Sequence, residues 1–184
     1  LQQSVSLLEA TLDATADGLL IVDRQGQIVR FNERFARMWR LSKEVLATGD
    51  DGAALRAAVA SVRDPEAFLE RVHYLYDHPH EQSYDTIELT DGRVFERFSR
   101  PQMLRKRVVG RVWSFRDVTE RSRAESALRR SEERYRRLFE ESRQAVYITT
   151  REGTFVDANP AAREMFKFTT AEVPTINTQA LYVN

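Results

Sequence analysis

The sequence predicts an α+β protein: a five-stranded antiparallel sheet with helices on one face, then a long linker helix, then the start of a second, truncated unit of the same kind. Three observations predict it. Two apolar strand-length runs flank a Gly turn at 18–31, several amphipathic helical stretches follow, and three further strand-like segments close the unit by 115. A highly charged helical stretch occupies 120–141. Residues 139–173 then align without a gap on residues 12–46, at a constant offset of 127.

Residues 1–17 carry Val5, Leu8, Leu12 and Ala16 at spacings of three and four, which predicts an amphipathic helix ended by Gly18. The apolar run 18–23 and the segment 27–31 make a hairpin around Arg24-Gln25-Gly26, where Gly26 is free to take a positive φ. Asn32 suits a helix N-cap, because its side-chain oxygen can accept an N–H of the next turn. Phe35, Met38, Trp39 and Leu41 then give the following helix an apolar patch. Ser42 caps a short helix, Asp50 or Asp51 starts another, and Asp64-Pro65-Glu66 starts a third that Pro79 ends. Segments 83–89, 93–100 and 108–115 read as three antiparallel strands, the first two joined by Asp91-Gly92. Alternation in the last strand allows either Val112 and Ser114 or Trp113 and Phe115 to face the core.

Composition narrows the function classes. The 184 residues are 42% hydrophobic, enough for a packed core. The 28 basic and 28 acidic side chains cancel, which removes the bulk electrostatic case for nucleic acid or an anionic membrane surface. There is no apolar run of bilayer-spanning length and no signal-peptide pattern at the start. The chain starts at Leu1, which predicts a piece of a longer protein. It has no Cys, so disulfides, thiolate metal sites and Cys nucleophiles are excluded. Nucleotide-binding, zinc-protease and hydrolase motifs are also missing, and no catalytic residue or metal site is assigned. Glu96 and Asp85 are strand carboxylates without a visible partner of opposed pKa.

The repeat pairs Ile21 with Ile148, Gly26 with Gly153, Asn32 with Asn159 and Met38 with Met165. Together with DG-L-IVD-GQIV-FN at the front and VGRVWSFRDVTER at the back, these segments resemble a PAS domain. Asp117-Val118-Thr119 is similar to the family's Asp-Ile-Thr exit motif, with Val for Ile. The resemblance implies a PAS-like sensor domain at 18–119, preceded by the N-terminal helix 1–17. A signalling helix at 120–141 and the start of a second, incomplete PAS-like domain at 142–184 follow. Tandem copies joined by such helices resemble the input regions of bacterial sensor histidine kinases, and also of diguanylate cyclases.

The candidate site residues fall into three groups. Asp117, Val118 and Thr119 form the signal-transmission step, with Asp117 and Glu120 spaced as an approximate capping box. The helix carries seven Arg and six Glu, an interleaving that suggests a solvated face rather than a nucleic-acid patch. Ala124, Leu128, Tyr135 and Leu138 lie on one seam of heptad spacing and predict a parallel coiled-coil homodimer, against a monomeric linker packed on its own domain. Trp39, His73, Phe98 and Trp113 are the ligand-pocket candidates. No cofactor is the first expectation. Haem, with His73 as axial ligand where haem-binding members of the resembled family place theirs, and non-covalently bound flavin are the alternatives. His78 and His80 flank a turn and read as exposed, with no third ligand at metal spacing.

The expected function is a cytoplasmic sensory module in a parent protein with or without a membrane anchor. A signal changes the sheet, and the linker helix carries the change to a downstream effector domain of the same polypeptide, a histidine kinase in a phosphorelay or a diguanylate cyclase. The competing reading is a ligand-free dimerisation spacer, which a solidly packed core between sheet and helices would favour.

Overall fold

Residues 10–178 are described by the computed structural model. The helix read over 1–17 is present at 10–13 and gives way to a turn by residue 14; residues 1–9 lie outside the described residues. Side chains take over its last carbonyls. Thr15 Oγ1 and Asn32 Nδ2 donate to Leu12 O at 2.8 and 2.9 Å, and such local bonds compete with helix propagation.

Strands β1 (Gly18–Asp23) and β2 (Ile28–Phe31) form the expected hairpin, and Gly26 takes φ +75°. Four helices follow: α1 (Glu33–Trp39), α2 (Lys43–Ala47), α3 (Asp51–Val59) and α4 (Pro65–Asp77). Asn32, Ser42, Asp50 and Asp64 cap them through their side chains, as their residue types predict. Strands β3 (Ser83–Glu88), β4 (Val94–Leu104) and β5 (Arg107–Asp117) complete a five-stranded sheet of order β2-β1-β5-β4-β3. Every neighbouring pair is antiparallel.

Strands β4 and β5 are longer than the alternation at 93–100 and 108–115 suggests. Arg105 and Lys106 make a two-residue turn with φ +46° and +65°, so pairing continues to Leu104 and Arg107. Asn-Gly is the usual signal for that turn, and its absence hides the hairpin. Gly110 on β5 lies opposite Asp23, and a Cβ there would overlap Val22 O. Only glycine lets β1 and β5 approach along their full length.

The core lies between the sheet and the helices. Leu20, Val22, Phe95, Trp113 and Phe115 supply the sheet side; Phe35, Met38, Trp39, Phe68, Val72 and Leu75 supply the helix side. Strand alternation is thus settled with Trp113 and Phe115 inward. Trp39 is the hub, edge-on to Phe95 and Phe115 at 5.5 and 5.2 Å between ring centroids. On the other face Tyr84, Phe98 and Val29 are exposed.

The chain divides into two compact units with the boundary between Ser122 and Arg123. Helix α5 (Thr119–Glu141) contributes to both. The second unit holds β6 (Tyr147–Thr149), β7 (Phe155–Ala158), α6 (Pro160–Phe166) and a 3₁₀ turn, Val173–Thr175. Its core is Phe155, Ala158, Ala162, Phe168 and Val173.

The offset of 127 holds for the central hydrogen bonds of the two hairpins. Asn32 Oδ1 accepts from Leu19 N and Phe35 N, and Asn159 Oδ1 accepts from Val146 N and Ala162 N. Asn32 Nδ2 donates to Asp17 O, and Asn159 Nδ2 to Gln144 O, both at 2.9 Å. Equivalence runs past the aligned residues: Asp51 N donates to Gly26 O, and Thr178 N to Gly153 O. The environments differ, however. Leu20 and Met38 are 4% and 5% exposed, whereas their equivalents Tyr147 and Met165 are 38% and 65% exposed.

Asn32→Asp tests the buried carboxamide. The variant keeps the acceptors that cap α1 but loses the donors to Leu12 O and Asp17 O. It should lower the stability of the first unit by about 2–4 kcal/mol, read by denaturant unfolding with the fluorescence of Trp39 and Trp113.

Candidate functional site

Two features of the first unit can carry function: an interior cavity with an adjoining groove, and the junction where the sheet becomes α5. The interior cavity lies between the sheet and helices α1, α3 and α4, and holds about 30 Å³. Trp39 and Trp113 line it, as expected, with Phe35, Phe68 and Phe115. Phe98 and His73 do not. Phe98 shares its strand phase with Glu96 and Arg100, which puts it on the outer face, 37% exposed. On α4 the helical period turns Phe68, Val72 and Leu75 inward and leaves His73 exposed. An exposed imidazole and a cavity of little more than one water's volume fit neither haem nor flavin. His78 and His80 are exposed, and among the described residues no group of three or more His, Asp or Glu could hold a metal ion.

Several polar groups that sequence reasoning missed are buried at or near this cavity. Asp51, the first residue of α3, accepts a hydrogen bond from the Tyr76 hydroxyl at the end of α4. Burial raises the Asp51 carboxyl above the ordinary aspartate range; burial, then the Asp51 charge, pushes the Tyr76 phenol well up. The Trp39 and Trp113 indole N–H groups are buried without a hydrogen-bond partner. Arg111 on β5 is 3% exposed and well satisfied. It donates to Leu75 O, His78 O, Glu81 O and Ser99 Oγ at 2.9–3.2 Å. It therefore caps the end of α4 and fixes that helix to the sheet.

Arg97 on β4 is the other buried arginine, its side chain 3% exposed. Its Nε donates to Asp85 Oδ1 at 2.8 Å, and its Nη1 has no partner. Asp85, unpartnered to the eye in the sequence, thus has Arg97 and also Arg71, at 3.8 Å. Glu96 pairs with Arg121 on α5. The signal for these was the strand phase Phe95-Arg97-Ser99. It was masked by the competing phase Glu96-Phe98-Arg100, which also holds one aromatic and one arginine.

At the junction, Val118 N donates to Val94 O and Val94 N donates to Thr119 Oγ1, at 2.9 and 3.0 Å. The Thr119 amide, at 3.0 Å, and the Thr119 hydroxyl both donate to Asp117 Oδ1. Asp117 thus accepts from the first residue of α5, and Thr119 ties that point to the sheet. Val118 and Thr119 are 7% and 8% exposed. The first turn of α5 is therefore hydrogen-bonded to the first residue of β4. Beyond it Ala124, Leu128, Tyr135 and Leu138 are exposed along α5, while Phe139 is buried. No helix among the described residues is long and apolar enough to cross a membrane.

The raised Asp51 pKa sets a sign for pH dependence. A carboxyl whose folded pKa is elevated stabilises the fold while protonated. That contribution is full below the ordinary aspartate range and is lost as pH rises through the elevated value. Asp51→Asn should remove this decline, so its melting temperature at neutral pH should match or exceed that of the parent chain, with the two curves converging in acid.

A family model described as PAS fold matches residues 12–126, and one described as PAS domain matches residues 133–181. No curated protein matches the chain. Among solved structures, the PAS domain of BvgS from Bordetella pertussis superposes with a TM-score of 0.51 at 16% identity, over 72% of this chain and 98% of that one. A sensory box histidine kinase/response regulator from Burkholderia thailandensis gives 0.46 at 18% identity, over 73% and 98%. The sensor region of a sensor histidine kinase gives 0.47 at 17% identity; 57% of this chain is covered, and 40% of that one.

Proposed function

The chain belongs to the PAS family, and from that premise we propose that its first unit is a non-catalytic sensory module. Its state passes through Asp117, Val118 and Thr119 into α5, and from there to an effector. The effector we propose is a histidine kinase working in a phosphorelay. The observation that carries this reading is the closed set of hydrogen bonds among Val94, Asp117, Val118 and Thr119. A shift of β4 against β5 cannot leave these bonds unchanged, so it must move or release the start of α5. A ligand with a differential affinity worth about 1–3 kcal/mol suffices to bias such an equilibrium.

The helix is proposed to act in a parallel homodimer through Ala124, Leu128, Tyr135 and Leu138. Leu128, Tyr135 and Leu138 are 62%, 51% and 65% exposed, an apolar row on a helix otherwise rich in charge.

One observation favours a second reading. The cavity between the sheet and helices holds only about 30 Å³, and a packed core suits a spacer that sets distance and register without binding a ligand.

Asp117→Ala, placed in a polypeptide that carries the effector, should change effector output while the first unit stays folded by circular dichroism. Output identical to the parent's would remove the relay. Leu128→Arg should convert a sedimenting dimer of this chain to monomer. A parent chain that is monomeric at high concentration would remove the dimer.

A further inference from the structure

Outside the interior cavity, between α4 and β3, lies a groove of about 410 Å³. That volume falls within the size range of small-molecule sites. Val62, Phe68 and Ile87 form its apolar floor, and Arg71, Asp85 and Arg97 its polar end. Arg97 and Phe68 line both this groove and the interior cavity.

The charges in the groove do not balance locally. Arg63 is paired with Glu88, and the Asp64 carboxylate accepts the Ala67 amide at the start of α4. At the polar end Arg71 and Arg97 share the single carboxylate of Asp85, although Asp64 makes the groove as a whole formally neutral, three arginines to three carboxylates. The Arg97 guanidinium also lies 5.0 and 5.5 Å from the Phe68 and Trp113 ring centroids. It is held between aromatic faces with Nη1 buried and unpartnered. A buried donor without an acceptor is unfavourable, and a guanidinium fork is shaped to take two oxygens at once.

We propose that this groove is a binding site for a small organic carboxylate with a compact apolar body. The carboxylate takes Arg97 Nη1 and the Arg71 guanidinium, and the apolar body lies on Val62, Phe68 and Ile87. The assignment rests on the sensory reading only for what binding does. Arg97 is three residues along β4 from Val94, which holds Thr119. Competition for Arg97 against Asp85 therefore acts on the strand that anchors α5.

The test uses the full 184-residue chain, whose two tryptophans both line the interior cavity beside Arg97. Phenylacetate and hexanoate are titrated against intrinsic fluorescence, with phenylacetamide and hexanamide as uncharged counterparts. At least one carboxylate should bind, and at least ten-fold more tightly than its amide. Arg97→Gln combined with Asp85→Asn, which leaves no unpaired buried charge, should weaken binding at least ten-fold. Arg97→Lys keeps the charge but loses the fork, and should weaken it severalfold even if the double variant fails to fold. Equal binding of acid and amide, parent-like binding by Arg97→Lys, or no saturable response to either carboxylate overturns the proposal. Such a result with Asp117→Ala still altering output leaves the relay standing. Carboxylate binding with output indifferent to Asp117→Ala leaves the site standing and removes the relay.

Discussion

The structure depends on a buried carboxamide that holds three chain segments at one point. Asn32 is 1% exposed and Asn159 fully buried. Each side chain accepts from the strand that opens its hairpin and from the first turn of the helix it caps, and donates to carbonyls of the segment before the strand. A neutral group that both donates and accepts is required. A carboxylate would set its charge against carbonyl oxygens, and a hydroxyl is too short to bridge both sides. With this point fixed, the hairpin, the direction of the capped helix and the chain entry cannot vary independently. That explains why the two units share these hydrogen bonds despite few identical residues.

The two buried arginines on adjacent strands show how the same side chain is used in two ways. Arg111 meets carbonyls and a hydroxyl, and its charge is spread over the negative end of α4. It is a structural pin. Arg97 is shielded by aromatic rings and shares a carboxylate with a second arginine; desolvation pushes its pKa down, as it does that of Arg111. Buried charge of that kind does not stabilise a fold well. Arg97 lines both the groove and the cavity.

Sheet and helix are joined where the hydrogen bonds close. Thr119 Oγ1 accepts from Val94 while the Thr119 hydroxyl donates to Asp117. One side chain thus joins the start of β4, the end of β5 and the start of α5. The ion pair between Glu96 and Arg121 adds a second link between the same strand and helix.

What the sequence determined by itself is local. Hairpin, caps, helix starts and the repeat are written in short spacings, because turn geometry and capping depend on residues within four positions of one another. The exit motif and the five-strand order of events were legible for the same reason. Tertiary structure decided everything that depends on a partner distant in the chain. It placed Trp113 and Phe115 inward and Phe98 outward, since strand alternation gives two equal phases and only packing against the helices selects one. It put His73 in solvent, paired Asp85 with Arg97 and Asp51 with Tyr76, and reduced the central cavity to about 30 Å³. Charges and cavities are properties of surfaces brought together, and no spacing along one strand or helix records them.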